Sequence, residues 1–308
     1  MLRLALAILL LPAALLVAER GRVQRTHLKV PVWLTAGPGD AAPALAVKLD
    51  GGEAEVTRVR GPNDELLLIL VLDLAGDVAL IDPARTALAS AILQLPANAY
   101  VGLMRAQDGL RVILDPTADR TPVIDAIQAM PIMGKAGLLE TVEPVSLLGD
   151  SILSKSSVRV AVLYVTDSDV YNYREDYTNP VINSSDSRDL SRKFPEALVR
   201  EKISRLENRI SLLQTPLFIV HLDYRRDRLN EAYQAGLMQL AEASGGWGVF
   251  CRSLPEIPGA IDRAFERILS HSSVEIALPD KPLKSVLVQL ESGAGPVTHR
   301  TRFLLREK

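Results

Sequence analysis

The sequence contains few of the residues that build disulfide-bonded domains and zinc sites. Only one of its 308 residues is cysteine, Cys251, which excludes an internal disulfide bond. The four histidines are scattered along the chain without the spacing of zinc ligands. The 35 lysine and arginine residues are balanced by 37 aspartate and glutamate residues, which leaves a net charge of -2. Because a basic excess is also missing, we expect no nucleic-acid partner.

Aromatic residues are scarce as well, at 5%, but hydrophobic residues make up 48% of the chain and charged residues 23%. This composition is typical of a globular protein with an aliphatic core, and it excludes disorder as the main state. At roughly 100 to 200 residues per domain, the length allows one large domain or one domain with a smaller companion.

One long apolar run is present, at the amino terminus. Leu4 to Val17 follows the basic start Met1 to Arg3, which is the pattern of a secretory signal. The run is shorter than the roughly 20 residues of a membrane-spanning helix. Leu16, however, occupies a position where signal cleavage favours a small residue. We therefore expect an exported protein, periplasmic or extracellular, in which residues 1–18 are a cleaved signal or an uncleaved anchor and the only contact with the membrane.

The middle of the chain alternates between strand and helix patterns. Residues 66–72 form a continuous apolar run that stops at Asp73, as expected for a central parallel strand covered on both faces. Asp82 and Pro83 predict the start of a helix over 84–95. Because the alternation continues to His271, we predict a doubly wound, mostly parallel, Rossmann-like α/β sheet over residues 64–271.

Short extended segments lie on both sides of this region. Residues 22–62 and 273–308 each contain strand patterns separated by glycine- and proline-containing turn signals. Neither segment has enough strands for a stable sheet structure of its own. We therefore predict a small β region in which the amino-terminal and carboxyl-terminal segments pack together.

Acidic residues follow two of the predicted strands. Asp73 and Asp77 come at the end of the first central strand, and Asp167 and Asp169 follow the strand predicted over 158–166. Ligands of open α/β sheets bind beyond the carboxyl ends of the strands, where the strand order reverses. The acids therefore predict a binding site at this edge.

Four sequence motifs resemble the von Willebrand factor type A domain, in particular the bacterial exported subfamily in which short β segments frame the domain. The motifs are Asp73-Leu74-Ala75-Gly76-Asp77, Asp167-Ser168-Asp169, residues 134–140 and residues 240–246. The resemblance spans about residues 28–305. It implies a non-enzymatic protein-binding or adhesion module with an unidentified protein partner.

The resemblance also implies a metal-ion-dependent adhesion site, which this sequence matches only in part. Asp73 corresponds to the first aspartate of the family and Asp167 to the last, whereas Ala75 and Asp77 replace two serines and Ala136 replaces a threonine. Since two of the expected hydroxyl ligands are replaced by alanines, Ala75 and Ala136, we expect no cofactor, or at most weak Mg²⁺ or Ca²⁺ binding at Asp73, Asp77 and Asp167. Capping of the following helix is an equally good interpretation of Asp77.

The stretch after Asp167 combines acids with tyrosines. Tyrosines are common in recognition loops because they provide a large contact area at low entropic cost. We predict partner contacts at the strand-end acids and at these tyrosines, and a solvated acidic insertion is the alternative. The predicted partner-binding residues are Asp73, Asp77, Asp167, Asp169, Tyr171, Tyr173 and Tyr177.

Two other functions remain as alternatives. A magnesium-dependent phosphohydrolase also places acids at strand ends, but it needs a second aspartate where Ala75 stands, and no glycine-rich phosphate loop follows the first strand. A structural scaffold would assemble envelope complexes through its edge strands.

Overall fold

The computed structural model describes residues 26–34, 45–132, 134–173, 195–280, 283–293 and 295–305. The predicted signal or anchor and the predicted contact Tyr177 lie outside these ranges. None of the helices within them is long and apolar enough to cross a membrane.

The chain begins with four short strands, and the alternating region follows. The strands are β1 (His27–Leu34), β2 (Leu45–Leu49), β3 (Gly52–Glu53) and β4 (Val56–Arg60). The first half of the alternating region comprises β5 (Leu66–Asp73), α1 (Val78–Leu93), β6 (Ala99–Arg105), β7 (Arg111–Thr117), α2 (Arg120–Ala129), α3 (Leu138–Lys155) and β8 (Arg159–Thr166).

The second half starts with a short 3₁₀ helix, Val170–Tyr173, and the chain ends in four more strands. The elements of this half are α4 (Pro195–Ile210), β9 (Leu217–His221), α5 (Arg228–Ser244), β10 (Trp247–Phe250) and α6 (Glu256–Ser270). The last strands are β11 (Ser272–Ala277), β12 (Ser285–Ser292), β13 (Val297–His299) and β14 (Arg302–Leu304).

The central sheet has six strands in the order β10-β9-β8-β5-β6-β7. All neighbours are parallel except β6 and β7, which are antiparallel. Every residue of β5 and β8 is buried, as the continuous apolar run predicted. Side chains of α1, α2 and α6 form the core on one face of the sheet, and those of α3, α4 and α5 form it on the other. The predicted doubly wound, mostly parallel α/β fold is confirmed.

Helix α1 begins six residues earlier than the sequence predicted. Its amino-terminal cap is Asp77, whose carboxylate accepts a hydrogen bond from the Ala79 N–H at 2.9 Å. The prediction of Asp82 as the cap is wrong, because the buried stripe of the helix already starts at Leu80. Pro83 therefore lies inside the helix rather than in its first turn.

The flanking segments pair with each other, so this part of the predicted fold is also confirmed. Strand β1 is antiparallel to β11, and β2 is antiparallel to β12. The two four-stranded sheets, β13-β1-β11-β4 and β14-β12-β2-β3, enclose a separate apolar core. Each sheet contains strands from both ends of the chain, so neither segment completes a sheet alone.

A buried arginine fixes the junction between the two regions. Arg159, at the start of β8, is fully buried. Its guanidinium donates hydrogen bonds to the carbonyl oxygens of Leu269 and His271 at the end of α6 and of Pro62 and Asp64 between β4 and β5, at 2.6 to 3.1 Å. Burial lowers its pKa to about 10. Arg159 thus holds both chain crossings between the α/β region and the flanking sheets.

Candidate functional site

The two acids at the centre of the predicted site lie where the strand order reverses. Asp73 ends β5, and its register partner in the neighbouring strand β8 is Thr166. The chain continues from β5 to β6 on one side of the sheet and returns at β8 on the other side. Asp73 and Asp167 therefore emerge side by side at the topological switch point.

The carboxylate of Asp73 is fully buried and already has hydrogen-bond donors on both oxygens. Its Oδ1 accepts from the backbone N–H of Gly137 at 2.9 Å, and its Oδ2 accepts from that of Leu138 at 3.1 Å. The hydroxyl of Ser168 donates to Oδ2 at 3.0 Å. Burial raises the pKa of Asp73 to about 6, although these hydrogen bonds act in the opposite direction.

Gly137 can reach Asp73 because it has no side chain. A Cβ atom at this position would lie 1.9 Å from the carbonyl oxygen of Ala106, at the end of the neighbouring strand β6. The backbone before α3 is therefore in direct contact with the strand end. This places the first N–H groups of the helix, where the helix dipole favours an anion, against the Asp73 carboxylate.

Asp167 is held in the same way by the loop that follows β5. Its Oδ1 accepts from the N–H of Ala75 at 2.6 Å, and its Oδ2 accepts from those of Gly76 and Asp77, each at 2.9 Å. Three successive N–H groups thus form a small anion-binding concavity around one carboxylate. Burial raises the pKa of Asp167, and the backbone hydrogen bonds oppose that rise.

The described residues do not fit a divalent cation. Ala75 and Ala136 provide no side-chain oxygen, and Ala136 is packed in the core. The carboxylate of Asp77, one of the predicted ligands, caps α1. Within the described ranges no group of three histidine, cysteine or acidic side chains is arranged to hold a metal ion. A cation between Asp73 and Asp167 would have to share carboxylate oxygens that already accept N–H donors.

A buried polar network that the sequence did not predict lies behind Asp73. Ser168 Oγ also lies 3.2 Å from the Asp73 carbonyl oxygen, and the hydroxyl of Thr166 lies 3.4 Å from Asp73 Oδ2. The imidazole Nε2 of His221 lies 2.8 Å from the Ser168 carbonyl oxygen. Burial lowers the pKa of His221 to about 4, so this ring is neutral. The network fixes the end of β8 against β5 and β9.

Of the two predicted tyrosine contacts within the described ranges, one is exposed and the other is buried. Tyr171 is 47% exposed, and its hydroxyl donates to Asp227 at 3.3 Å. Tyr173 is only 4% exposed, and its hydroxyl lies 3.3 Å from that of Tyr233 in the core. The prediction of Tyr173 as a partner contact is wrong, because the 3₁₀ helix turns this side chain inward.

The three strand-end acids other than Asp77 are also too enclosed to serve as partner contacts. Asp73, Asp167 and Asp169 are all buried. Asp169 accepts hydrogen bonds from the backbone N–H groups of Tyr171 and Asn172, and its Oδ2 lies 3.1 Å from the Arg225 guanidinium. The prediction that these three acids contact the partner directly is therefore wrong. Their side chains instead hold the loops in position. A buried Asp73 carboxylate is likewise not placed to attack a substrate, as the phosphohydrolase alternative requires.

The surface above these acids is built by four loops. We call it the carboxyl-edge face and define it as residues 75–78, 169–172, 223–228 and 252–255. Its third and fourth loops, which follow β9 and β10, were not predicted from the sequence as part of the site. Arg225 connects the loop after β9 to the loop after β8. Its guanidinium nitrogen lies 3.1 Å from a carboxylate oxygen of Asp169 and 3.1 Å from one of Asp223.

No protein-family model matches the chain, and no curated protein matches it. Solved structures similar to it include a von Willebrand factor type A protein from Catenulispora acidiphila, at 10% identity and a TM-score of 0.47, covering 87% of this chain and 74% of that one. The conserved hypothetical protein BatB from Bacteroides thetaiotaomicron has 16% identity and a TM-score of 0.39, covering 66% and 98% of the two chains.

A third similar structure is the vWF domain of the type V pili tip protein Mfa5 from Porphyromonas gingivalis. It has 12% identity and a TM-score of 0.42, and the match covers 67% of this chain and 95% of that one. The structural neighbours thus include von Willebrand factor type A domains, the type of domain that the sequence resembles.

Proposed function

We propose that this chain is a non-enzymatic, exported protein-interaction module that binds a protein partner through the carboxyl-edge face and needs no metal ion to do so. The α/β region supplies a rigid support, and the four loops supply the contacts. The flanking sheets hold the support at its opposite end. Export rests on the signal-like pattern of residues 1–18.

One observation carries the proposal: backbone N–H groups occupy the carboxylates of Asp73 and Asp167. In the family that the sequence resembles, a cation would link the corresponding loops. Here the hydrogen bonds link the loops after β5 and β8 to the start of α3 directly. These hydrogen bonds support the proposal that the loops form a preorganised binding surface without a cation.

The exposed side chains of the face are suitable for protein contacts. Val78, Tyr171 and Leu254 are large apolar or aromatic residues, and 45% to 52% of each is exposed. They lie in three different segments of the face, near Asp77, Asp169 and Arg252 in the sequence. Apolar anchors within a polar rim are the usual composition of a protein–protein interface.

The two positions that a phosphohydrolase would use favour a binding role over that reaction. Of the two acids that a phosphohydrolase would use, Asp73 is buried and bonded on both oxygens, and the other position is Ala75. A nucleophile must reach its substrate. The described geometry gives Asp73 a positioning role.

The proposal can be tested by site-specific photo-crosslinking in the native envelope. Benzoylphenylalanine replaces Tyr171 in one variant and Tyr100 in a matched control. Both residues are exposed tyrosines, at 47% and 38%, but Tyr100 lies near the start of β6, at the amino-terminal end of the sheet. We expect a protein adduct from position 171 that forms equally in the presence of EDTA, and none from position 100.

Two results would count against the proposal. An adduct from position 100 but not from 171 would move the interface to the other end of the sheet. An adduct from 171 that disappears with EDTA would show that binding needs a cation after all.

A further inference from the structure

The carboxylates around the carboxyl-edge face are already committed to donors within the chain. Besides Asp73 and Asp167, this holds for the other acids of the loops. Asp77 caps α1, and Asp227 caps α5 through the N–H of Asn230 at 3.1 Å. Asp169 and Asp223 share the guanidinium of Arg225. Glu256 accepts from the backbone N–H of Arg252 at 2.9 Å. These carboxylates therefore have fewer free oxygen lone pairs with which to accept hydrogen bonds from a partner.

Two arginine side chains of the same face, by contrast, are not paired with a carboxylate of the described residues. Arg226 and Arg252 are both exposed. Neither forms an ion pair with a carboxylate in the part of the chain that the structure describes. The Arg252 guanidinium lies over the ring of Tyr224, 5.5 Å from its centroid, which leaves its edge free for hydrogen bonds.

The backbone that carries these arginines is held in place. Gln234, on α5, accepts from the N–H of Arg225 at 2.9 Å and donates to its carbonyl oxygen at 2.7 Å. The N–H of Tyr224 donates to the Cys251 carbonyl oxygen at 2.8 Å, which joins the loop after β9 to the loop after β10. The backbone next to Arg226 and Arg252 is therefore held in place, so binding has less backbone entropy to overcome.

We propose that Arg226 and Arg252 form a receptor for an acidic segment of the protein partner, with carboxylates next to an apolar side chain. This inference rests on the proposed function, because it names the partner chemistry for the carboxyl-edge face. Guanidinium groups bind carboxylates through paired hydrogen bonds. Tyr224 and the exposed side chain of Leu254 provide the adjoining apolar contact. Charge complementarity, rather than a shared metal ion, selects the partner.

The test uses the full-length chain in a non-ionic detergent and a rhodamine-labelled peptide of alternating glutamate and leucine. Fluorescence anisotropy measures binding. An alternating lysine–leucine peptide and a single-stranded oligonucleotide of equal negative charge serve as comparison probes. We expect the acidic peptide to bind about tenfold or more tightly than either one, and its binding to weaken as salt is added.

Charge-reversal variants locate the site. We expect Arg252→Glu and Arg226→Glu each to weaken binding of the acidic peptide about tenfold. The matched control is Arg302→Glu, an exposed arginine on β14 in the flanking sheets, which should change binding less than about twofold. Arg252→Gln removes the charge with a smaller perturbation if a reversal variant fails to fold, and circular dichroism checks the fold of each.

Three outcomes would overturn the inference: no binding of the acidic peptide, equal binding of the lysine peptide or the oligonucleotide, or equal loss in the Arg302→Glu control. These failures can be distinguished from failure of the proposed function. A crosslink at Tyr171 without binding of the acidic peptide refutes only the inference about partner charge. Binding of the acidic peptide without a crosslink at Tyr171 refutes only the proposed interface with the native partner.

Discussion

The two ends of the central sheet each bury charge, and each uses the backbone to stabilise it. At the carboxyl end, Asp73 and Asp167 accept hydrogen bonds from five backbone N–H groups. At the amino end, Arg159 donates to four backbone carbonyl oxygens. None of the three forms an ion pair with an oppositely charged side chain within the described ranges. Backbone dipoles of the appropriate sign take the place of a counter-ion at both ends.

The two ends of the sheet differ in which part of the chain the buried charged side chain holds in place. Arg159 joins two chain crossings inside the molecule, between the α/β region and the flanking sheets, and leaves no surface of its own. The two aspartates hold loops whose outer residues are exposed. The same physical device therefore makes a structural joint at one end and a rigid binding surface at the other.

The largest expected effect comes from removing the charge at the amino end. Arg159→Met would leave four carbonyl oxygens without their donor, so we expect the free energy of unfolding to fall by about 4 kcal/mol. Urea unfolding monitored by circular dichroism measures it. The control Arg205→Met, on the exposed side of α4, should change the value by less than about 0.5 kcal/mol. A similarly small change for Arg159→Met would contradict the conclusion that Arg159 holds the junction between the α/β region and the flanking sheets.

The next effect is the pH dependence that Asp73 contributes. Its pKa is raised from 3.8 to about 6, so between these pH values Asp73 is more fully protonated in the folded chain than in the unfolded chain. Asp73 therefore contributes stability that is fully present below 3.8 and is lost as pH rises through about 6. Over this window the unfolding free energy should fall by about 3 kcal/mol relative to that of Asp73→Asn.

The comparison with Asp73→Asn is needed because other groups titrate nearby. The pKa values of Glu196, Asp227 and Glu256 are lowered, which gives a slope of the opposite sign. Their contributions cancel in the difference between the two chains. Urea unfolding of both chains at a series of pH values measures that difference. Parallel curves would mean that the carboxylate of Asp73 is not desolvated as described.

The smallest of the stability effects is expected at Asp167. Its N–H donors are on Ala75, Gly76 and Asp77, which are partly or fully exposed. Water replaces the lost acceptor there, so Asp167→Ala should lower the unfolding free energy by only about 1 kcal/mol. Hydrogen exchange should nevertheless speed up at these three amides. Unchanged exchange rates would show that the carboxylate does not hold this loop.

The sequence was sufficient to predict the central sheet but not the exposed residues of the carboxyl-edge face. The apolar run before Asp73 predicted a central strand, and the acids at the ends of β5 and β8 predicted the correct edge of the sheet. The donors to those acids are backbone N–H groups, which no residue type reveals. Alternation along the chain could not distinguish Tyr171 from Tyr173, because the 3₁₀ helix decides which side chain faces solvent.

The remaining misses also have physical causes. Asp82 and Pro83 fit a helix start locally, but packing of Leu80 against the sheet favours an earlier start at Val78. Arg225 is brought to Asp169 only by the return of β9 beside β8, and the sequence between them is 55 residues long. Contacts made through strand order cannot be read from local patterns.

Calorimetric titration of the full-length chain with Mg²⁺, Mn²⁺ and Ca²⁺, with Asp73→Ala as the control, tests the central claim most directly. The claim is that backbone N–H groups, and not a cation, hold Asp73 and Asp167. It predicts no saturable binding of any of the three ions and a melting temperature that EDTA leaves unchanged. Binding with a dissociation constant in the low micromolar range that Asp73→Ala abolishes would contradict the claim. A cation would then bind at these carboxylates and stabilise the folded chain.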